Sequence, residues 1–362
     1  MRQVVFGSER HTKFLTDALK RNREGTSSIE IYRNNESSIK SFFVKEQDKD
    51  FVYIVACAPE EYENTLKTFE SLGVKHVLLV NPALYLIHHF ELFNFSKLLL
   101  TPSDWRNSLD YVEFHVTDNC NLNCKGCSHL CNLVKGRHDT DFDKWKKDLS
   151  RLRQLVKDVY IIRILGGEPF LNEKLPDFVE YTRKTFDSSE IHVVTNSLLL
   201  DRVPNRTFDI IRKNDVIIDV SYYPVLDRNK TVALLSEKRV KFRMSEEKTS
   251  FFSKNIDESG SNNIKESYDA CINHGCHFMH NGRICTCAMP LLSHYYNGKF
   301  GSHILPENEG IDLYDSSLHY GSLRSLLDLP IDACRFCSPK QESFEWKGHW
   351  NSPEKSDWVI GL

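Results

Sequence analysis

The stretch Asn119 to Cys127, NCNLNCKGC, places Cys120, Cys124 and Cys127 within eight residues at the spacing C-x3-C-x2-C. Cysteine is abundant throughout the 362-residue chain, with eleven in all. Ten of them fall in three tight groups: Cys120, Cys124, Cys127 and Cys131; Cys271, Cys276, Cys285 and Cys287; and Cys334 with Cys337. Cys57 alone, inside the apolar run from Phe51, reads as an ordinary buried thiol. In a reducing compartment such groups are ligands, not disulfides. Three thiolates on one loop can bind three irons of a 4Fe-4S cube and leave the fourth iron open to a ligand from outside the protein. The competing reading is a tetrahedral zinc site completed by Cys131 or His129.

Composition narrows the partners. The net charge is -3 with both signs mixed along the chain, so no basic surface for nucleic acid is expected. The N-terminus MRQVVFGSERHTKF carries charges where a signal peptide needs an apolar run, and no window is long enough for a membrane span. The expected location is the cytoplasm.

Strand-like and helical runs alternate. Val4 to Gly7, Phe51 to Cys57 and Val77 to Val80 read as strands, with helical spacing through Phe14, Leu15, Ala18 and Leu19 and through Tyr62, Leu66, Phe69 and Leu72. This first region implies a small parallel sheet, similar to the Rossmann-like modules of sugar-modifying enzymes, although Gly7-Ser8-Glu9-Arg10 lacks a glycine-rich phosphate turn. The adjacent His88 and His89 read as packing. A second series has strands at Tyr111–Thr117, Val159–Leu165, Ile191–Asn196, Val216–Tyr222 and Val240–Met244, with helices from Asp141, over Leu175–Phe186 and over Thr231–Lys238. Five strands are too few for a closed eight-fold barrel and fit an open, partial one. Chemistry in such folds gathers at the carboxyl ends of the strands. The three cysteines follow the first strand, Gly166-Gly167-Glu168-Pro169 the second, and Thr195-Asn196-Ser197 the third, so these loops should converge.

C-x3-C-x2-C after a first barrel strand, with G-G-E-P after the second, resembles the radical S-adenosylmethionine (radical SAM) superfamily. The resemblance covers residues 108–245. It implies that Cys120, Cys124 and Cys127 bind a [4Fe-4S] cluster, that Gly166, Gly167, Glu168 and Pro169 line the methionyl group of SAM, and that Asn196 and Ser197 approach its ribose. An electron from the cluster would then cleave SAM to a 5'-deoxyadenosyl radical that takes hydrogen from a substrate. Two positions depart from the family pattern. Gly126 stands where an aromatic residue usually packs near adenine, and Ser197 stands where glycine is usual.

Beyond the polar stretch 246–267, which has linker composition, Asn281-Gly282 between apolar flanks signals a hairpin. Cys271 and Cys287 flank it, and Cys334-x2-Cys337 follows. This arrangement resembles the twitch domain, a shortened SPASM domain, and implies a second [4Fe-4S] cluster on Cys271, Cys287, Cys334 and Cys337; a zinc ribbon is the alternative. Cys276 and Cys285 are spare, and a weak S–H bond makes either a candidate hydrogen-atom donor. The expected architecture is therefore α/β: a Rossmann-like domain over 1–104, a partial (β/α)6-type radical SAM barrel over 105–245, a linker over 246–267, and an auxiliary-cluster domain over 268–362.

The leading functional reading is a radical SAM enzyme acting on a carbohydrate or glycoconjugate at a carbinol carbon, by oxidation or epimerisation. It implies a small, sugar-like substrate and a flavodoxin- or ferredoxin-type reductant, with no nucleic acid or membrane partner. The alternatives are radical modification of a ribosomally made peptide or protein, and a non-enzymatic zinc scaffold. Glu113 and His115 alternate with Val112 and Phe114, which puts two polar groups inside the barrel. Trp346 and Trp350 are expected to pack against the auxiliary domain.

Overall fold

The structure, a computed structural model, describes residues 2–21, 29–45, 51–74, 76–82, 84, 98–304 and 309–362; His88 and His89 lie outside them. The chain divides into two compact units, Met1–Asp110 and Tyr111–Leu362.

In the first unit, β1 (Arg2–Gly7), β2 (Ile29–Arg33), β3 (Phe51–Ala56), β4 (Val77–Val80) and β5 (Leu99–Leu100) form one sheet in the order β2-β1-β3-β4-β5, antiparallel only at the β4–β5 edge. Helices Glu9–Arg21, Glu36–Lys45 and Pro59–Ser71 make the crossovers. Val4, Val5 and Phe6 on β1 are fully buried, and the Phe6 ring meets Phe42 and Phe69 edge-on, which fixes two of the helices on the sheet. The open parallel α/β sheet is the expected one. β2 and its helix were not among the expected elements, because Ile29-Glu30-Ile31-Tyr32-Arg33 alternates polar and apolar residues on an edge strand. Gly7 serves packing: a Cβ there would strike the Ala56 carbonyl oxygen on β3 and lie 2.9 Å from Thr12 Oγ1.

The second unit begins with β6 (Leu109–His115), β7 (Val159–Leu165), β8 (Glu190–Thr195), β9 (Ile217–Val220) and β10 (Lys241–Met244). Helices Phe142–Leu155, Leu175–Thr185, Asn205–Lys213 and Arg228–Glu237 connect them in turn. The first is capped by Asp141, whose carboxylate accepts from the Lys144 amide at 2.9 Å, and it turns Trp145, Leu149 and Leu152 inward. The chain continues through β11 (Ser250–Ile256), β12 (Phe278–His280), β13 (Arg283–Cys285), β14 (Ile311–Asp312) and β15 (Cys337–Glu345).

The large sheet runs β10-β9-β8-β7-β6-β12-β13-β14. Its sixth parallel strand does not follow β10, as a (β/α)6 reading would have it; β12 supplies it on the other edge, with Phe278 opposite Glu113 and Met279 opposite Phe114. The hairpin lies where Asn281-Gly282 signalled it, with Met279 opposite Ile284. Asn281 and Gly282 both take positive φ (50° and 81°), the geometry of a type I′ turn.

The stretch 246–267 is not a free linker. β11 pairs antiparallel with β15, and helix Ile264–Ala270 is capped by the Asn263 side chain. Its polar composition follows from membership of a two-stranded ribbon that buries little. No described helix is long and apolar enough to cross a membrane.

Candidate active site

The loop after β6 carries Cys120, Cys124 and Cys127, and its backbone is bent by positive φ at Asn123 (44°) and Gly126 (59°). The three thiols lie within electrostatic reach of one another. Burial pushes Cys120 up to about 12 and raises Cys124 strongly, while a hydrogen bond from the Cys131 thiol holds Cys127 below the ordinary thiol value. Crowded thiols in an apolar setting resist ionising together unless a cation draws off their charge. Cys131 is buried against Cys127. His129 is not turned toward the cysteines: its Nδ1 lies 2.8 Å from His115 Nε2 and its Nε2 3.7 Å from Glu113 Oε1. Among the described residues, no three His, Cys, Asp or Glu side chains are drawn together as a single metal ion would require. A cubane binds each thiolate through a different iron and so accepts a wider spacing.

The loop after β7 lies directly on the cysteine loop. A Cβ on Gly166 would strike the Thr117 carbonyl, and one on Gly167 would strike the Asn119 carbonyl and sit 2.7 Å from Cys120 Cβ. Gly167 N donates to Thr117 O (2.9 Å) and Glu168 N to Asn119 O (2.8 Å). The glycine pair thus lets the second strand end press on the first. Pro169 opens the short turn Pro169–Leu171 that carries the chain away.

Glu168 is completely buried. Its carboxylate accepts from Thr195 Oγ1 (2.7 Å), Asn196 N (2.8 Å) and Phe170 N (3.2 Å), joining the second strand end to the third; burial still pushes it up to about 7. Asn196 Nδ2 donates to Asn121 Oδ1 (2.8 Å) and points at Cys120 Sγ (3.7 Å). Ser197 takes φ +60°, which explains why glycine suits this position. Its hydroxyl is buried with no hydrogen-bond partner among the described residues. An orphaned buried hydroxyl next to Asn196, whose amide points at Cys120 Sγ, fits a polar cofactor laid across the strand ends.

Deeper in the barrel lies a polar network. Glu113 and His115 are both buried, as the alternation on β6 predicts. The Tyr111 hydroxyl donates to Glu113 Oε2 at 2.5 Å, Arg163 Nη1 donates to Tyr111 at 3.2 Å, and Asp219 accepts from Arg163 (2.6 Å) and Arg243 (2.5 Å). Burial alone would raise Asp219, but His192 and the two guanidinium groups hold it far below the carboxylate range. Arg163 keeps 24 % of its side-chain surface accessible. Cys276 is within electrostatic reach of Glu113, Arg163 and Cys271, and burial pushes it up to about 12. Arg163 and Asp219 were not among the expected site residues, although a charge inside each apolar strand, VYIIRIL and IIDV, was a readable signal.

The remaining cysteines gather elsewhere. Cys271 ends helix Ile264–Ala270, Cys287 precedes helix Ala288–Phe300, Cys334 lies in the turn Asp332–Phe336, and Cys337 opens β15. Cys271 is within electrostatic reach of Cys287, Cys334 and Cys337, and Cys285 adjoins Cys287 and Cys334. Cys285 thus goes with this set, while Cys276 is within reach of Cys271 as well as of Glu113 and Arg163.

Trp346 and Trp350 pack on the first cysteine loop, not on the cysteine-rich region as expected. Trp346 Nε1 donates to Cys124 Sγ at 3.2 Å. Lys125 N donates to Lys347 O (2.8 Å), His349 N to Leu122 O (2.6 Å) and Trp350 N to Asn123 O (2.9 Å). Trp358 Nε1 donates to Cys127 O at 3.0 Å. Phe344 occupies the space a side chain at position 126 would need, which is why glycine stands there.

Fold and site together suit an iron-sulfur cluster held at the carboxyl ends of the barrel strands. Residues 111–241 match the family described as a 4Fe-4S single cluster domain. Curated relatives include the GTP 3',8-cyclases of Clostridium perfringens strain 13 (26 % identical over 117 residues, 31 % of this chain and 35 % of the relative) and Clostridium acetobutylicum (32 % over 98 residues, 26 % and 30 %). The chain spans about a third of the length of the curated relatives it matches. Among solved structures, BtrN in complex with AdoMet and 2-DOIA aligns at 17 % identity and TM-score 0.38 over 65 % of this chain and 96 % of that one. The family match covers residues 111–241, the part of the chain that carries the three-cysteine loop and Gly166-Gly167-Glu168-Pro169. The family match supports a [4Fe-4S] cluster in this region, and the C-terminal cysteines are consistent with a second cluster.

Proposed function

We propose that the chain reductively cleaves SAM and uses the 5'-deoxyadenosyl radical to take a hydrogen atom from a carbinol carbon of a carbohydrate or glycoconjugate. The observation that carries this reading is the hydrogen-bonding wall of Tyr111, Glu113, Arg163 and Asp219 inside the barrel whose β6 loop holds the three thiols. Such a wall suits a polyhydroxylated substrate, which must exchange many water contacts for protein ones. Cys120, Cys124 and Cys127 would hold the cluster, which supplies the electron for SAM cleavage. Glu168 fixes the Asn196 amide, and the unpartnered Ser197 hydroxyl is free to bond a ribose.

After hydrogen abstraction the carbinol O–H becomes acidic, and Glu113, whose carboxylate burial makes more basic, is placed to take that proton. Oxidation also requires an electron acceptor, for which Cys271, Cys287, Cys334 and Cys337 would hold a second, twitch-type cluster. Epimerisation requires a hydrogen atom returned to the opposite face, for which Cys276 or Cys285 would be the donor. Deuterium from heavy water at the reacting carbon marks epimerisation; an oxidised product without it marks the dehydrogenase. A flavodoxin- or ferredoxin-type protein in the cytoplasm would supply the first electron.

The test pairs iron content with SAM cleavage, on anaerobically reconstituted wild type and a Cys120→Ala/Cys124→Ala/Cys127→Ala variant. About eight irons in wild type, about four in the variant, and 5'-deoxyadenosine from wild type alone support the reading. Equal 5'-deoxyadenosine from both overturns it.

A further inference from the structure

We infer that Trp346 sets the reduction potential of the cluster held in the β6 loop, by donating its indole N–H to the sulfur of Cys124. The assignment rests on the reading of Cys124 as a cluster ligand. The donor lies 3.2 Å from the sulfur, and both side chains are buried, each 8 % exposed. The ring is held from several directions. Tyr223 stacks on it with centroids 5.1 Å apart and planes 21° from parallel, Trp346 N donates to Thr249 O at 2.9 Å, and the next residues are bonded to the loop backbone. A donor so constrained cannot follow the sulfur or turn away.

A hydrogen bond to a cysteine sulfur is worth more when that sulfur carries more electron density, as it does after the cluster gains an electron. The bond therefore stabilises the reduced state and moves the potential upward, most strongly where water is excluded. The chain contains its own control. Trp358 sits on the same loop, but its N–H goes to the Cys127 carbonyl, leaving that sulfur without an indole donor from it.

The experiment is an EPR-monitored redox titration of reconstituted full-length wild type, Trp346→Phe and Trp358→Phe. The signal of the first cluster is recognised because added SAM perturbs it. Trp346→Phe should keep the wild-type iron content and titrate at a more negative potential, while Trp358→Phe should titrate with wild type. An unchanged potential in iron-replete Trp346→Phe overturns the proposal. A measurement on unaltered protein covers a variant that fails to assemble. With 15N-indole-labelled tryptophan, pulsed EPR of the reduced, SAM-responsive cluster in wild type should show a 15N coupling, and its absence overturns the proposal. If wild type shows no SAM-responsive signal at all, the ligand reading of the loop has failed instead.

Discussion

Gly167 has no space for a methyl group, since a Cβ there meets the Asn119 carbonyl and the Cys120 side chain. Gly167→Ala must push the cysteine loop off the β7 end, a misfit of about 1–3 kcal/mol. We expect at least a tenfold loss of SAM cleavage with a fall in iron content, measured after reconstitution; wild-type values in both would show that the loop yields freely. Ser197 presents the opposite case. It bears a left-handed backbone, so Ser197→Gly should stabilise the protein by up to about 1 kcal/mol, partly offset by the freer unfolded chain. A lowered denaturation midpoint would contradict this. Glu168 gives a pH signature. Its folded value near 7 lies above the unfolded value near 4.3, so between them the folded state binds the extra proton. Its contribution is complete below about pH 4 and is lost as pH rises through about 7. The stability difference between wild type and Glu168→Gln should drift by about 3–4 kcal/mol against wild type across that window, read from chemical denaturation of the apoprotein.

The segment after β15 closes the cysteine loop with backbone bonds at Leu122, Asn123 and Lys125. A chain ending at Glu345 should hold about four irons instead of about eight, with the loss in the SAM-responsive cluster; a full complement would show that the loop holds its cluster unaided. None of this closure was legible. Trp346 and Cys124 are separated by 222 residues, and no local pattern records such a meeting. The loop itself was legible because its ligands are spaced within a single turn of chain, and G-G-E-P because close backbone approach admits only glycine. The barrel strands were legible as apolar runs. β11 was hidden by its residues: Ser250, Lys254 and Asn255 read as linker, and only pairing with β15 makes them a strand. β12 gave itself away through Asn281-Gly282, but a turn signal names a hairpin without saying which edge will receive it.

Every residue assigned to the site lies within Tyr111–Leu362, one of the two compact units. A fragment of residues 105–362 should therefore reconstitute about eight irons and cleave SAM; loss of both would make the first unit a requirement for assembly. The order in which the parts leave the ribosome also matters. At about 5–20 residues per second, the 222 residues between Cys124 and Trp346 take roughly 10–45 s to synthesise. For that interval the nascent loop has its thiols but not the indoles and backbone that later cover them. A carrier that arrives during synthesis would meet a loop without this cover, and one that arrives afterwards would meet a loop whose Cys124 is buried while Cys120 and Cys127 stay half-exposed.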